Sequence, residues 1–131
     1  MENRPEYVGL WLGCSKIGLV PALINSNLSG QSLLHSINAA CARALIYGVE
    51  FQEAVRNITD NLAGVELFVS GSADPALSNI VVTLDAELVN SSVEPVPQSV
   101  QTYTNFNDKL LYIFTSGTTG LPKASVIKNS R

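Results

Sequence analysis

The sequence predicts an α/β fold, a parallel sheet with flanking helices. Three observations carry this expectation. Short apolar runs alternate with helical apolar periods between residues 20 and 69. Glycines punctuate the alternation at Gly18, Gly48 and Gly64. Of the 131 residues, 46% are hydrophobic and 15% charged, which excludes a disordered chain and provides for one core. Strands joined through amphipathic helices imply crossover connections, and crossovers imply parallel neighbours.

Asn3 is placed to cap a first helix, with Glu6 completing a capping box. Pro5 falls in the first turn, where its missing N–H costs nothing. Tyr7, Leu10, Trp11, Cys14 and Ile17 recur at helical spacing, and Val8, Leu12 and Leu19 widen the stripe. Most of this helix is therefore expected to be covered. Gly18 stops it. Val20–Ile24 reads as a short buried strand with Pro21 at its start or on an edge. The stretch Val8–Ile24 is too short for a membrane span and contains Ser15, Lys16 and Pro21. The first residues have no small-residue cleavage site and do not read as a signal peptide. Cys14 and Cys41 lie in apolar stretches and read as buried free thiols.

Ser29 caps a second helix striped by Leu33, Leu34, Ile37 and Ala40. Ala44–Tyr47 follows as a strand closed by Gly48. The third helix starts near Glu50 and carries the clearest period, Phe51, Ala54, Val55, Ile58 and Leu62. Gly64 ends it and Val65–Val69 is the next strand. Gly71–Pro75 is a loop, Ile80–Leu84 a strand, and Asp85 caps a short helix through Val89. Residues 90–108 are polar, carry Pro95 and Pro97, and read as an exposed connector. Lys109–Phe114 and Ala124–Lys128 are the last two strands.

The net charge is −3, which argues against nucleic acid as a partner. The charge is unevenly placed. Residues 1–108 hold four Lys/Arg and all eleven acids, whereas residues 109–131 hold four Lys/Arg and no acid. A basic segment on an acidic body suggests an anion site. Between the last two strands lies Thr115-Ser116-Gly117-Thr118-Thr119-Gly120-Leu121-Pro122-Lys123. Glycines let a backbone approach an anion and turn its N–H groups inward, hydroxyls donate to phosphate oxygens, and a lysine adds a point charge. The glycine spacing is not that of a P-loop, and Pro122 before an apolar run favours a strand–loop–strand hairpin. His35, the single histidine, has no Cys or carboxylate cluster beside it and reads as structural. No Ser–His–Asp set or metal-ligand spacing occurs, so no metal residue is expected.

Thr115–Lys123 resembles the phosphate-binding signature of the adenylate-forming, AMP-binding superfamily. Wider strings resemble its fatty acid transport protein, or very-long-chain acyl-CoA synthetase, branch: Glu2–Gly13, Ala22–Leu28, Leu33-Leu34-His35, Ser70-Gly71-Ser72 and Leu111–Ala124. Ala124, where the superfamily usually has glycine, fits the same branch.

The resemblance implies that residues 1–131 are part of the large N-terminal domain of an adenylate-forming enzyme, a partial AMP-binding domain with no complete second domain. It implies a reaction in which ATP, with Mg2+, and a long-chain fatty acid give an acyl-adenylate and pyrophosphate, and CoA then takes the acyl group. Thr115, Ser116, Gly117, Thr118, Thr119, Gly120 and Lys123 would form the nucleotide-binding loop. No catalytic residue is expected within these residues, because the family's adenine motif, acyl tunnel and catalytic lysine correspond to sequence beyond Arg131. Membrane association, at the endoplasmic reticulum or plasma membrane, is expected through parts absent here, with this domain cytosolic. Two other readings stay open: another adenylate-forming ligase acting on amino or aryl acids, and a non-catalytic lipid-binding remnant.

Overall fold

The computed structural model describes residues 1–101, 103, 105–115 and 120–130. In chain order the elements are α1 (Pro5–Lys16), β1 (Ala22–Leu23), α2 (Gly30–Ala39), β2 (Ala44–Gly48), α3 (Gln52–Arg56), β3 (Glu66–Ser70), β4 (Val81–Thr83), α4 (Leu84–Asn90), β5 (Lys109–Thr115) and β6 (Lys123–Lys128). The architecture is mixed α/β, with parallel strands and flanking helices.

The strands form two sheets rather than one. β2, β3 and β4 make a parallel sheet in that order, with Leu45 opposite Leu67 and Leu67 opposite Val81. β1 leaves this series and pairs parallel to β5, Ala22 opposite Tyr112, while β6 runs antiparallel on the other side of β5. Residues 20–69 thus do not supply successive strands of one sheet, as their sequence pattern suggests, because β1 belongs to the other sheet. β5 is seven residues long and has two edges to satisfy. β6 covers one. The Tyr112 N–H on the other donates to Pro21 O at 2.9 Å, drawing β1 across.

The core lies against the parallel sheet. Leu33 and Ile37 from α2, Val55 from α3, Ile58 and Leu62 beyond it, Leu67 and Val69 from β3 and Val81 from β4 form one buried cluster. Ile37 is 1% exposed and Val69 0%, so both are tightly surrounded. Ile37→Val should lower stability by about 1 kcal/mol, the usual cost of one buried methylene. Urea unfolding followed by circular dichroism checks this, and an unchanged midpoint would remove Ile37 from the core.

Several local expectations are revised. Arg4, not Asn3, caps α1, and no side-chain capping bond forms. No residue of α1 is fully buried. Tyr7, Leu10, Trp11 and Cys14 line an apolar groove of about 460 Å³, but Val8 and Leu12 face outward at 47% and 54% exposure. Cys14 is half-buried, and burial pushes its thiol pKa up. Cys41 is exposed, on a positive-φ turn after α2. The third helix is broken: α3 ends at Arg56, and a 3-10 turn, Thr59–Asn61, follows. Thr59 Oγ1 donates back to Val55 O at 2.9 Å, a bond that competes with the helical ladder. The apolar stripe is still buried at Val55, Ile58 and Leu62. Asp85 lies inside α4, which Thr83 caps.

Candidate functional site

β5 and β6 form the predicted hairpin. Their register runs from Lys109 opposite Lys128, through Leu111 opposite Ile127, to Thr115 opposite Lys123. The strands form for ordinary reasons: Leu111 and Ile127 turn inward with Leu111 3% exposed, while Lys123 and Lys128 stay in solvent. The phosphate-loop string therefore begins on the last residue of β5 and ends on the first of β6.

Three of the seven candidate nucleotide-binding residues are described. Thr115 ends β5, with Oγ1 3.5 Å from the Lys123 carbonyl oxygen across the hairpin. Gly120 sits at φ +82°, a left-handed conformation that L side chains rarely adopt, and space is open where a Cβ would be. Lys123 is exposed and makes no ion pair among the described residues. Ser116, Gly117, Thr118 and Thr119 lie outside the described residues.

The basic segment is less concentrated than its sequence suggests. Lys109 and Lys128 pair at the base of the hairpin, about 20 Å from its mouth at the rise of an extended strand. Lys109 Nζ donates to Tyr112 Oη at 2.8 Å and sits over its ring, 5.4 Å from the centroid. That bond raises the ammonium pKa. Arg131 is outside the described residues. Among the described residues, Lys123 is thus the cation at the mouth.

A residue read as merely structural joins this region. His35, on α2, places Nε2 3.1 Å from Pro122 O, immediately before Lys123. The two residues are 87 positions apart, and one partner is a backbone carbonyl, so no motif could have revealed the pairing. A second polar cluster lies at the C-terminal end of β3. Arg4 Nη2 donates to Ser70 Oγ at 2.9 Å, and Ser70 Oγ donates to Asp85 Oδ1 at 3.0 Å. The Gly71 N–H donates to Asp85 Oδ2 at 2.7 Å. Gly71 is required there: at φ +106° its Cβ would meet Val49 Cβ at 2.8 Å. These groups are engaged with one another and form a clasp between β3 and α4.

Among the described residues, no group of three His, Cys, Asp or Glu could hold a metal, and no helix is long and apolar enough to cross a membrane.

Comparison with known proteins adds three findings. The profile of the family described as AMP-binding enzyme matches residues 1–130. The chain is 41% identical over 133 aligned residues to long-chain fatty acid transport protein 1 of Mus musculus, covering 100% of this chain and 20% of that relative. It is 41% identical over 127 residues to long-chain fatty acid transport protein 6 of Homo sapiens, covering 97% of this chain and 20% of that one. The chain thus spans about one fifth of the length of the curated relatives it matches. Among solved structures, an anthranilate CoA ligase in complex with anthranoyl-AMP superposes with a TM-score of 0.81 at 22% identity, over 97% of this chain and 23% of that one. A Mycobacterium tuberculosis fatty acyl CoA synthetase gives 0.68 at 22% identity, over 97% and 22%. At these identities the structures establish a shared fold.

Proposed function

The chain belongs to the AMP-binding enzyme family, and from that footing we propose that it supplies the ATP-phosphate-binding section of a long-chain fatty acid transport protein with fatty acyl-CoA synthetase activity. The observation that carries the reading is the hairpin mouth, where Lys123, exposed and without an ion pair among the described residues, stands opposite Thr115 at the end of a Gly/Ser/Thr string. The 41% identity to fatty acid transport proteins supports the substrate class.

In this reading residues 1–131 are one section of a larger AMP-binding domain. Thr115, Ser116, Thr118, Thr119 and the N–H groups of the loop, with Gly117 and Gly120 allowing close approach, hold the β- and γ-phosphates of ATP. ATP enters as its Mg2+ complex. The fatty acid carboxylate attacks the α-phosphorus, the bond to the β-phosphate oxygen breaks, and pyrophosphate leaves with the electron pair. Lys123 neutralises charge on that leaving group. Such preplaced electrostatic stabilisation is usually the largest single catalytic contribution. CoA then displaces AMP from the acyl carbon to give the thioester. The complete protein acts at a membrane, of the endoplasmic reticulum or cell surface, with this domain on the cytosolic side.

The test is turnover by the complete protein with ATP, CoA and a panel of carboxylic acids. Oleoyl-CoA formation from oleate, well above thioester formation from benzoate or amino acids, is the expected result. Preference for an aryl or amino acid would assign the chain to a different adenylate-forming ligase. No turnover with any acid would leave a lipid-binding remnant.

A further inference from the structure

We infer that His35 is a positioning residue for the phosphate loop, acting through Pro122 to set the direction of Lys123. The inference rests on the functional reading above and deepens it.

The geometry is a rigid post beside a loop exit. α2 is anchored by Leu33, Ser36 and Ile37, with Ser36 at 0% and Ile37 at 1% exposure. That face packs into the core of the parallel sheet. His35, half-buried, turns instead toward the other sheet, and its Nε2 reaches Pro122 O at 3.1 Å. α2 therefore ties the hairpin mouth to the most buried part of the molecule.

The chemistry of the partner fixes the roles. A carbonyl only accepts, so Nε2 carries the proton and donates. Proline has no N–H, and Pro122 lies one residue outside the last paired position, Thr115 opposite Lys123. Its carbonyl is the one backbone group through which Pro122 can be held. That carbonyl shares a planar peptide unit with the Lys123 N–H. Fixing it fixes the plane and the Lys123 Cα at its end, and the pairing of Lys123 with Thr115 sets the strand conformation about that atom, so the two restraints together aim the Lys123 side chain. The ladder with β5 holds the backbone from Lys123 onward, but the side chains of Lys123, Ala124, Ser125 and Val126 are exposed, so His35 supplies a restraint from outside the hairpin just before the ladder begins. An ammonium that must meet a leaving pyrophosphate depends on such placement, because small displacements from the productive position are costly in rate.

The test uses the complete protein and fatty acid-dependent ATP–pyrophosphate exchange. His35→Leu removes the donor and keeps the side-chain volume. It should lower kcat about tenfold, a step of about 1.4 kcal/mol, with KM for the fatty acid unchanged. His35→Gln, whose amide nitrogen can take the place of Nε2, should recover most of that loss. In a Lys123→Ala background His35→Leu should cost less than about twofold, because the group it positions is gone. A merely structural role would give the same fold-loss in both backgrounds and no recovery by glutamine, and either result would overturn the assignment. So would an unchanged kcat in His35→Leu. If the leucine variant does not fold, His35→Phe, with a ring and no donor, takes its place under the same criteria. An inactive wild type would instead defeat the functional reading. Amide hydrogen exchange across residues 120–124 then judges the contact alone: faster exchange in the leucine than in the glutamine variant upholds it, and equal exchange removes it.

Discussion

Lys123→Ala in the complete protein lowers the rate of acyl-adenylate formation by about 10²–10³-fold, the range seen when one preplaced stabilising group is lost from a catalytic site. Fatty acid affinity should stay within about twofold of wild type. The split follows from where charge develops. Pyrophosphate carries its greatest charge as it departs, so a cation beside it favours the transition state over the ground state. Lys123 is suited to this because it is exposed at the hairpin mouth and makes no ion pair among the described residues. No described neighbour can substitute. Lys109 and Lys128 stand at the opposite end of the hairpin, and Lys109 is engaged with Tyr112. Pyrophosphate-exchange rates and direct fatty acid titration separate the two effects. Exchange at the wild-type rate would remove Lys123 from the mechanism.

The second expected result is a complete loss. Residues 1–131 expressed alone should form no acyl-CoA and should bind ATP no more tightly than about 1 mM, or about −4 kcal/mol. One lysine and a short loop must offset the cost of ordering both loop and nucleotide. The isolated chain should also self-associate. α1 has no buried residue, Val8 and Leu12 are exposed, and the groove beneath Tyr7 and Trp11 is open and apolar. Calorimetric ATP titration, a thioester assay and sedimentation check these outcomes together. Thioester formation, or micromolar ATP binding by a monomer, would contradict them.

The parts of the fold legible in the sequence are those governed by local pattern. The Leu33–Ile37 stripe of α2 and the apolar runs of β2 and β3 specify element type without knowledge of partners. Pairing is a long-range property. β1 is two residues long and carries no alternation, so nothing local distinguishes joining β2 from crossing to β5, whose partner residue Tyr112 lies 90 positions away from Ala22. Side chains that can bond in two ways misled the local reading. Asp85 looks like a helix cap, but its carboxylate reaches back to Ser70 and Gly71. Thr59 looks like part of a continuous helix, but its hydroxyl bonds to Val55 O where the helix breaks. The hairpin was legible because its glycines, Pro122 and Lys123 are unusual together. The role of His35 was not, because its partner is the carbonyl of Pro122, which has no side-chain signature.

In the proposed function Thr115–Lys123 holds the phosphates of ATP. Amide hydrogen exchange of the complete protein, compared with and without saturating ATP and with adenosine as the control, decides whether it does. The expected result is slowed exchange across residues 115–123 with ATP and none with adenosine. Protection by ATP elsewhere, with residues 115–123 exchanging as in the free protein, would contradict it.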